Sequence, residues 1–157
     1  MELEEASTVV ELGPGTGAFT GAISAKLKSD ALFIAVELNP DFARILRGQF
    51  PGVVVINDSA ERLTDFLAER ARAHADTILC SLPWAGFPAD LQERLMKAIV
   101  AALKPGGRFA SFAYLHASIL PAARRFRQRL EANFATVTTS RTVWRNLPPA
   151  FVYRCTR

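Results

Sequence analysis

Apolar residues along this chain fall into short runs that alternate between two periods. Thr8 to Leu12 is a β-branched run that stops at Gly13-Pro14-Gly15-Thr16-Gly17, and Phe19, Ile23 and Leu27 then recur at the spacing of one helix face. Ala31 to Val36 predicts a second strand ending at Glu37. Asn39-Pro40 starts a helix with Phe42, Ile45 and Leu46 facing inward, which Pro51-Gly52 ends. Val53 to Ile56 predicts a third strand, opening into a loop at Asn57-Asp58. The alternation continues with a helix over Glu61 to Ala73 and a strand over Thr77 to Cys80. A helix over Ala89 to Leu103, the turn Lys104-Pro105-Gly106-Gly107, a strand over Arg108 to Ala113 and a basic helix over Ile119 to Asn133 follow. The end differs. Thr136 to Val143 and Phe151 to Thr156 alternate with a two-residue period around Leu147-Pro148-Pro149, the pattern of an antiparallel pair.

Repeated strand–helix units imply an α/β fold of parallel strands joined by right-handed crossovers, with helices on both faces. The nearly continuous apolar strands agree, because such strands are buried on both sides. In open sheets of this kind ligands bind beyond the carboxyl ends of the strands, near the topological switch point. Every polar or glycine-rich punctuation singled out below lies at such an end.

Composition narrows the class. Of 157 residues, 50% are hydrophobic and 22% charged, which excludes a disordered chain and suits a single domain over residues 1–157. Two cysteines exclude a disulfide scaffold and a four-thiolate metal site, and no metal is expected. The least polar stretch, Phe109 to Ala123, is too short to span a bilayer, and the acidic start Met-Glu-Leu-Glu-Glu is unlike a signal peptide. The expected setting is cytoplasmic. Charge is divided: residues 1–80 carry 7 Lys/Arg against 12 Asp/Glu, and residues 81–157 carry 12 against 3. A basic half raises the expectation of a phosphate-rich partner, either nucleic acid or a membrane surface.

The glycine loop after the first strand has Gly-x-Gly-x-Gly spacing. It is neither the Gly-x-Gly-x-x-Gly of dinucleotide binders nor a P-loop, and by itself it is also the mark of a tight turn. Glu37 adds to it. It lies 20 residues after Gly17 at the end of the second strand, where a carboxylate accepts from ribose hydroxyls. Asp58 ends the third strand, placed to accept from an adenine amino group with Ser59 and Ala60 supplying backbone. An Asp there equally starts a turn or caps the next helix.

Glu11-Leu12-Gly13-Pro14-Gly15-Thr16-Gly17, Val36-Glu37-Leu38-Asn39-Pro40, Asn57-Asp58-Ser59-Ala60 and Leu103-Lys104-Pro105-Gly106-Gly107 stand in the order found in class I S-adenosylmethionine-dependent methyltransferases, which the chain resembles. Within that superfamily it resembles the bacterial phospholipid N-methyltransferases, most specifically over Val143-Trp144-Arg145-Asn146-Leu147-Pro148-Pro149-Ala150-Phe151-Val152-Tyr153-Arg154. The resemblance spans nearly the whole chain. It implies a Rossmann-like seven-stranded sheet, mostly parallel, whose last strands form an antiparallel hairpin, and S-adenosylmethionine as cofactor. Glu11, Gly13, Pro14, Gly15, Thr16 and Gly17 would line its methionine end, Glu37 with Leu38 the ribose, and Asp58, Ser59 and Ala60 the adenine, with Ser81 and Leu82 completing the contact. Cys80 and Cys155 fall on strands that this topology keeps apart, so both are expected as free thiols.

Ser81-Leu82-Pro83-Trp84 ends the fourth strand, where related N-methyltransferases carry Asn/Asp/Ser-Pro-Pro-Tyr or Asn-Leu-Pro-Tyr. Methyl transfer is an in-line displacement, so the catalyst chiefly holds the nucleophilic nitrogen on the sulfur–methyl axis. Ser81 and the Leu82 carbonyl suit accepting from the amine. Trp84, beside Pro83, suits stabilising the ammonium that develops, in preference to the alternative of a loop Trp packed on the sheet edge. A proton must leave the amine, and Tyr114 or His116, after the fifth strand, could assist through water; a lone His is more often structural. Arg124-Arg125-Phe126-Arg127-Gln128-Arg129 reads as a solvated face or as a dock for anionic lipid. Arg141 and Arg145 are expected to hold the acceptor's phosphate, and Trp144 and Phe151 would add apolar surface suited to an interface, core packing being the default for both.

Phospholipid N-methyltransferases of this group have an N-terminal segment with an amphipathic helix that aids membrane docking and covers the cofactor. Here only Met1 to Ser7 precede the first strand, so the expectation is a domain without that segment. The expected function is N-methylation of a phosphatidylethanolamine-type headgroup, with peripheral contact to an anionic membrane. The alternatives are an rRNA adenine N-methyltransferase, which Ser-Leu-Pro-Trp and the basic half would suit but for the lack of a C-terminal RNA-binding domain, and a cofactor-binding module without transfer activity.

Overall fold

β-Branched and aliphatic runs form seven strands in the computed structural model, which describes residues 3–157; the Met1-Glu2 start of the acidic N-terminal stretch lies outside the described residues. The strands are β1 (Thr8–Leu12), β2 (Leu32–Val36), β3 (Val54–Ile56), β4 (Ala75–Cys80), β5 (Leu103–Tyr114), β6 (Thr136–Thr139) and β7 (Ala150–Thr156). They form one sheet in the order β3-β2-β1-β4-β5-β7-β6. The first five run parallel, and β7 pairs antiparallel with both β5 and β6. Strand order reverses between β1 and β4, so the crevice at their carboxyl ends is where a ligand site is expected.

Five helices, α1 (Thr20–Ser24), α2 (Pro40–Gln49), α3 (Leu63–Ala68), α4 (Ala89–Ala102) and α5 (Pro121–Asn133), join these strands. The larger apolar cluster packs α3, α4 and α5 on one face of the sheet through Leu63, Phe66, Leu95, Met96, Ile99, Phe126 and Leu130. A smaller cluster on Val9, Phe33 and Ala35 takes Leu3, Ala6 and Ile23. Asn39 caps α2, its Oδ1 accepting from the amides of Asp41 at 2.9 Å and Phe42 at 3.3 Å, with Pro40 in the first turn.

Several elements differ from their expected extents. The helix expected to carry Phe19, Ile23 and Leu27 spans only Thr20–Ser24, with Ile23 buried and Phe19 exposed just before it. On α2 the buried positions are Ala43 and Leu46, whereas Phe42 is turned to solvent. The helix expected over Glu61 to Ala73 is a 3-10 turn, Ala60–Arg62, followed by α3, and Ala71 beyond it adopts φ 53°. Lys104 to Gly107 is an irregularity inside β5 where the β4 register shifts, closed by Gly106 N–H to Arg157 O at 2.9 Å. β6 stops at Thr139 because Ser140 and Val143 pair onward with Val152 and Ala150 across a widening hairpin. Cys80 and Cys155 are buried free thiols on strands separated by β5.

At the amino ends of the strands, one carboxylate ties three elements together. Asp76 of β4 accepts from the amides of Ser7 and Thr8, each at 2.8 Å, and pairs with Lys104 of β5. Burial opposes its ionisation, but Lys104 and the two amides together hold the carboxyl below its ordinary value. Such a group adds stability above the ordinary carboxyl pKa and loses it as pH falls through the lowered one. Asp76→Ala is therefore expected to cost about 1–2 kcal/mol of unfolding free energy at neutral pH. Urea titration should show the deficit shrinking in acid, and a deficit independent of pH would remove the charge from the explanation.

Candidate active site

Hydrogen bonds that continue past the strand ends position the first loops. Gly13 N–H donates to Val36 O at 3.0 Å, Glu37 N–H to Ile56 O at 2.9 Å and Ser81 N–H to Leu12 O at 2.9 Å. The loops after β1, β2 and β4 are thereby held side by side at the switch point. Gly13 and Gly17 have positive φ and no room for a side chain: a Cβ would meet Leu82 Cδ2 at 2.7 Å or the Phe50 ring at 2.5 Å. Gly15 also has positive φ, but nothing lies within 4 Å of where its Cβ would be. The loop is packed at two glycines and open at the third.

Glu37 is buried, and its carboxylate accepts from Gly15 N–H through Oε2 and from Asn39 N–H through Oε1, both at 2.9 Å. Asn57 fastens the same turn, its Nδ2 donating to Glu37 O at 2.8 Å and Leu38 O at 3.0 Å. Asp58 is more committed than its sequence role implies. Its Oδ1 accepts from Ser59 N–H, and its Oδ2 pairs with Arg62 Nη1, both at 2.6 Å. Ser59 caps the 3-10 turn that follows, with Ala60 buried behind it.

Glu11 sits on β1 with 1% exposure. Oε2 accepts from the Thr20 hydroxyl at 2.7 Å, while Oε1 has no hydrogen-bond partner. Burial pushes its carboxyl up to about 7, against the opposing bond from Thr20.

Beyond β4 the chain turns through Ser81, Leu82 and Pro83 into a 3-10 turn, Trp84–Gly86. A cavity of about 410 Å³ opens there between the glycine loop, this turn, the end of β5 and the hairpin. Ser81, Leu82, Pro83, Trp84 and Tyr114 all border it, together with Pro14, Phe19, Phe112, Ser118, Asn146 and Phe151. Among the described residues no Asp, Glu, Lys, Arg or His lines it. A second, largely apolar space of about 500 Å³ adjoins it, sharing Phe19, Ser81, Phe112, Asn146 and Phe151 and bordered also by the charged residues Glu11, Lys26 and Arg154.

Three expectations need correction. Trp84 is not an open aromatic platform: its ring is 3% exposed, stacked on Phe126 with centroids 4.2 Å apart, with Phe87 edge-on at 6.1 Å. The apolar face of α5 draws it inward. Arg141 and Arg145 border neither cavity and point outward from the hairpin loop. His116 is exposed and outside the cavity wall, although its ring lies 5.7 Å from that of Tyr114.

The methyltransferase-domain family profile matches residues 9–107. The curated ornithine lipid N-methyltransferase of Singulisphaera acidiphila is 34% identical over 155 residues, 97% of this chain and 77% of that protein. The chain belongs to the methyltransferase domain family. Among solved structures, the O-methyltransferase TomG from Streptomyces achromogenes, in complex with SAM, aligns with a TM-score of 0.78 at 16% identity, covering 99% of this chain and 75% of that one. An rRNA methylase from Streptococcus thermophilus aligns at 0.73 and 17% identity, covering 99% and 89%. These two likenesses are of fold, and one fold serves different acceptors. The protein is an S-adenosylmethionine-dependent methyltransferase.

Sequence reasoning missed two residues that shape the methyltransferase's cavity. Gln92 is wholly buried, and its Nε2 donates to Trp84 O at 2.7 Å, Ala122 O at 3.1 Å and Phe87 O at 3.4 Å. One amide thus ties the turn after β4 to the start of α5. Its signal was available: a glutamine in the stripe Gln92, Leu95, Met96, Ile99, Ala102 is a polar residue at a core position. Asn146 borders both cavities and donates from Nδ2 to Pro148 O at 2.7 Å, leaving Oδ1 uncommitted.

Two outcomes are expected. A carboxyl whose pKa is raised on folding favours the fold while protonated, so stability falls between the ordinary value of 4.5 and about 7. Glu11→Gln should flatten that part of the stability–pH curve in denaturant unfolding, and an unchanged slope would clear Glu11 of it. Gln92→Leu should raise the acceptor KM by roughly tenfold, the equivalent of one lost buried hydrogen bond, with cofactor affinity by calorimetry unchanged. Equal losses in both would mean that Gln92 merely supports the fold.

Proposed function

We propose that this methyltransferase transfers methyl groups to the primary amine of a membrane lipid headgroup, of the phosphatidylethanolamine or ornithine lipid type. The observation that carries this reading is the uncharged cavity beside the glycine loop, walled by rings, a hydroxyl, a side-chain amide and carbonyls. The 34% identity to an ornithine lipid N-methyltransferase over nearly the whole chain supports it.

The residues present fit the cofactor. The open backbone at Gly15 admits close approach, and the Glu37 carboxylate retains acceptor capacity beside its two amide bonds for the ribose hydroxyls. The bare Oε1 of Glu11 suits the ammonium of the methionine end. Asp58, already paired with Arg62, has lone pairs left for the adenine amino group, with the Ser59 and Ala60 backbone beside it. When bound, the cofactor supplies a methyl group on a sulfonium, an electrophile needing no metal.

The chain's own contribution is to hold a neutral nitrogen in line. Leu82 O accepts from Trp84 N–H at 2.9 Å and keeps a second lone pair, and the Ser81 hydroxyl and Asn146 Oδ1 add acceptors for the amine's N–H groups. Phe112, with its ring centroid 5.8 Å from that of Phe19 and 5.0 Å from that of Tyr114, joins these two in offering π faces to the ammonium in the role expected of Trp84. No carboxylate or imidazole lines the cavity to act as base. The released proton passes to water, with the half-exposed Tyr114 hydroxyl at the boundary.

Incubation with methyl-labelled cofactor and, separately, micellar phosphatidylethanolamine, ornithine lipid or rRNA tests the reading. Label is expected in an amino lipid, at a rate that rises with pH up to the amine's own pKa. Label in rRNA, or tight cofactor binding with no transfer to any acceptor, would overturn it.

A further inference from the structure

The segments that form the outer wall of the acceptor cavity also carry three of the four most exposed large apolar side chains among the described residues, the other being Leu38 after β2. Leu147 is 89% exposed and Trp144 70%, both in the hairpin loop. Ile119, 70% exposed, and Leu120 end the 3-10 turn His116–Ile119 that leads into α5. The two segments are one structure, because Leu115 N–H donates to Pro149 O at 2.8 Å. Their inner residues, Ala117, Ser118 and Asn146, line the cavity, so the apolar tips lie on its lip.

Charge around the lip is one-sided. Arg124, Arg125, Arg141 and Arg145 are exposed, and among the described residues none of their guanidinium groups has an ion-pair or hydrogen-bond partner. Farther along α5 the pattern changes: Arg127 pairs with Glu131 at 2.9 Å, and Arg129 with Glu93 at 3.8 Å. No Asp or Glu occurs from residue 115 to 130 or from 132 to 157. Protruding aliphatic and indole groups amid unpaired arginines match a surface that seats its tips at the boundary of an anionic bilayer.

We infer that this lip is a bilayer-docking surface, with Ile119, Leu120, Trp144 and Leu147 entering the interface of an anionic membrane and Arg124, Arg125, Arg141 and Arg145 lying against its headgroups. The inference deepens the lipid-acceptor reading and rests on it for its purpose: a cavity whose mouth is pressed to a bilayer receives headgroups directly from it. Two other occupants fit worse. Single-stranded RNA is held by stacking rings and cations, and three protruding aliphatic side chains add nothing to that. A second copy meeting this lip by two-fold symmetry would bring unpaired arginines against arginines.

Trp144 supplies the probe, because the chain's other tryptophan, Trp84, is buried. Vesicles of phosphatidylglycerol and phosphatidylcholine in equal parts contain no primary amine and report docking without turnover. Docking should shift Trp144 emission to the blue and expose it to quenching by brominated acyl chains, with partition falling as salt rises. Each basic residue near such a surface is worth about fivefold in partition, so Arg124→Glu with Arg125→Glu should weaken it by more than tenfold. Leu147→Glu with Ile119→Glu should abolish quenching while leaving the melting temperature, cofactor affinity and turnover of a dispersed short-chain amino lipid unchanged. Vesicle binding untouched by these variants, or binding without change in Trp144 emission, overturns the inference, as does a loss confined to rRNA binding. The two readings fail separately. Transfer to the short-chain lipid without vesicle binding defeats the docking surface alone, whereas lip-dependent vesicle binding without transfer to any amino lipid defeats the acceptor assignment.

Discussion

The Glu37 carboxylate is buried at the end of β2, and a charge in that position must be answered by donors or be driven neutral. Two backbone amides answer it, Gly15 from the loop after β1 and Asn39 from the start of α2. Gly15 can point its N–H at β2 only because the loop turns through positive φ there. The side chain of Asn39 in turn caps α2. The same carboxylate therefore shapes the glycine loop, fixes where the second helix begins and stands at the site with lone pairs to spare. Much of the proposed cofactor cradle follows from how one buried carboxylate is satisfied.

Glu11, one strand away, shows the opposite solution. Among the described residues it has one partner for two oxygens, and burial lifts its carboxyl to about 7. A cationic ligand group would complete its hydrogen bonding and favour its ionised form at once. An incompletely satisfied buried acid of this kind is what the proposed role of Glu11 at the cofactor's ammonium calls for.

Legibility from sequence followed the physics of each signal. β1 to β5, their parallel run and the carboxyl-end position of the motifs that follow β1 to β4 were readable because buried parallel strands are nearly continuous in apolar residues, whereas Lys104-Pro105-Gly106-Gly107 lies at the amino end of β5. The glycine loop and Glu37 were readable because backbone geometry there restricts residue type. Trp84, Phe42 and Phe19 were misplaced for a common reason: hydrophobicity predicts burial on average but does not say which neighbour offers the surface. Phe126 of α5 claims Trp84, and no periodicity in either segment encodes that meeting. Arg141 and Arg145 were drawn into the site by nearness in sequence to the Leu-Pro-Pro loop, yet the hairpin turns them away from the cavity. Gln92 was overlooked because its role joins two segments that sequence places 8 and 30 residues away.

The division of charge also changes meaning once it is folded. Some of the basic half's cations are spent on the acidic half, as in Arg94 with Glu61 and Lys104 with Asp76, and these pairs join the halves structurally. Arg124, Arg125, Arg141 and Arg145, without ion-pair partners among the described residues, gather at the lip, above a cavity in whose wall the described residues place no Asp, Glu, Lys, Arg or His. For an amine acceptor the two features act in the same direction. Loss of water inside the cavity disfavours an ammonium, and the positive potential of four arginines at the mouth disfavours it again. Both lower the amine's pKa as it enters, so the neutral nucleophile forms without a base at the reacting atom. A carboxylate placed in the wall to receive the proton would instead stabilise the incoming ammonium and hold back the attack. For the proposed amino-lipid acceptor, a wall without acids among the described residues and cations at the lip would act together to favour the neutral nucleophile.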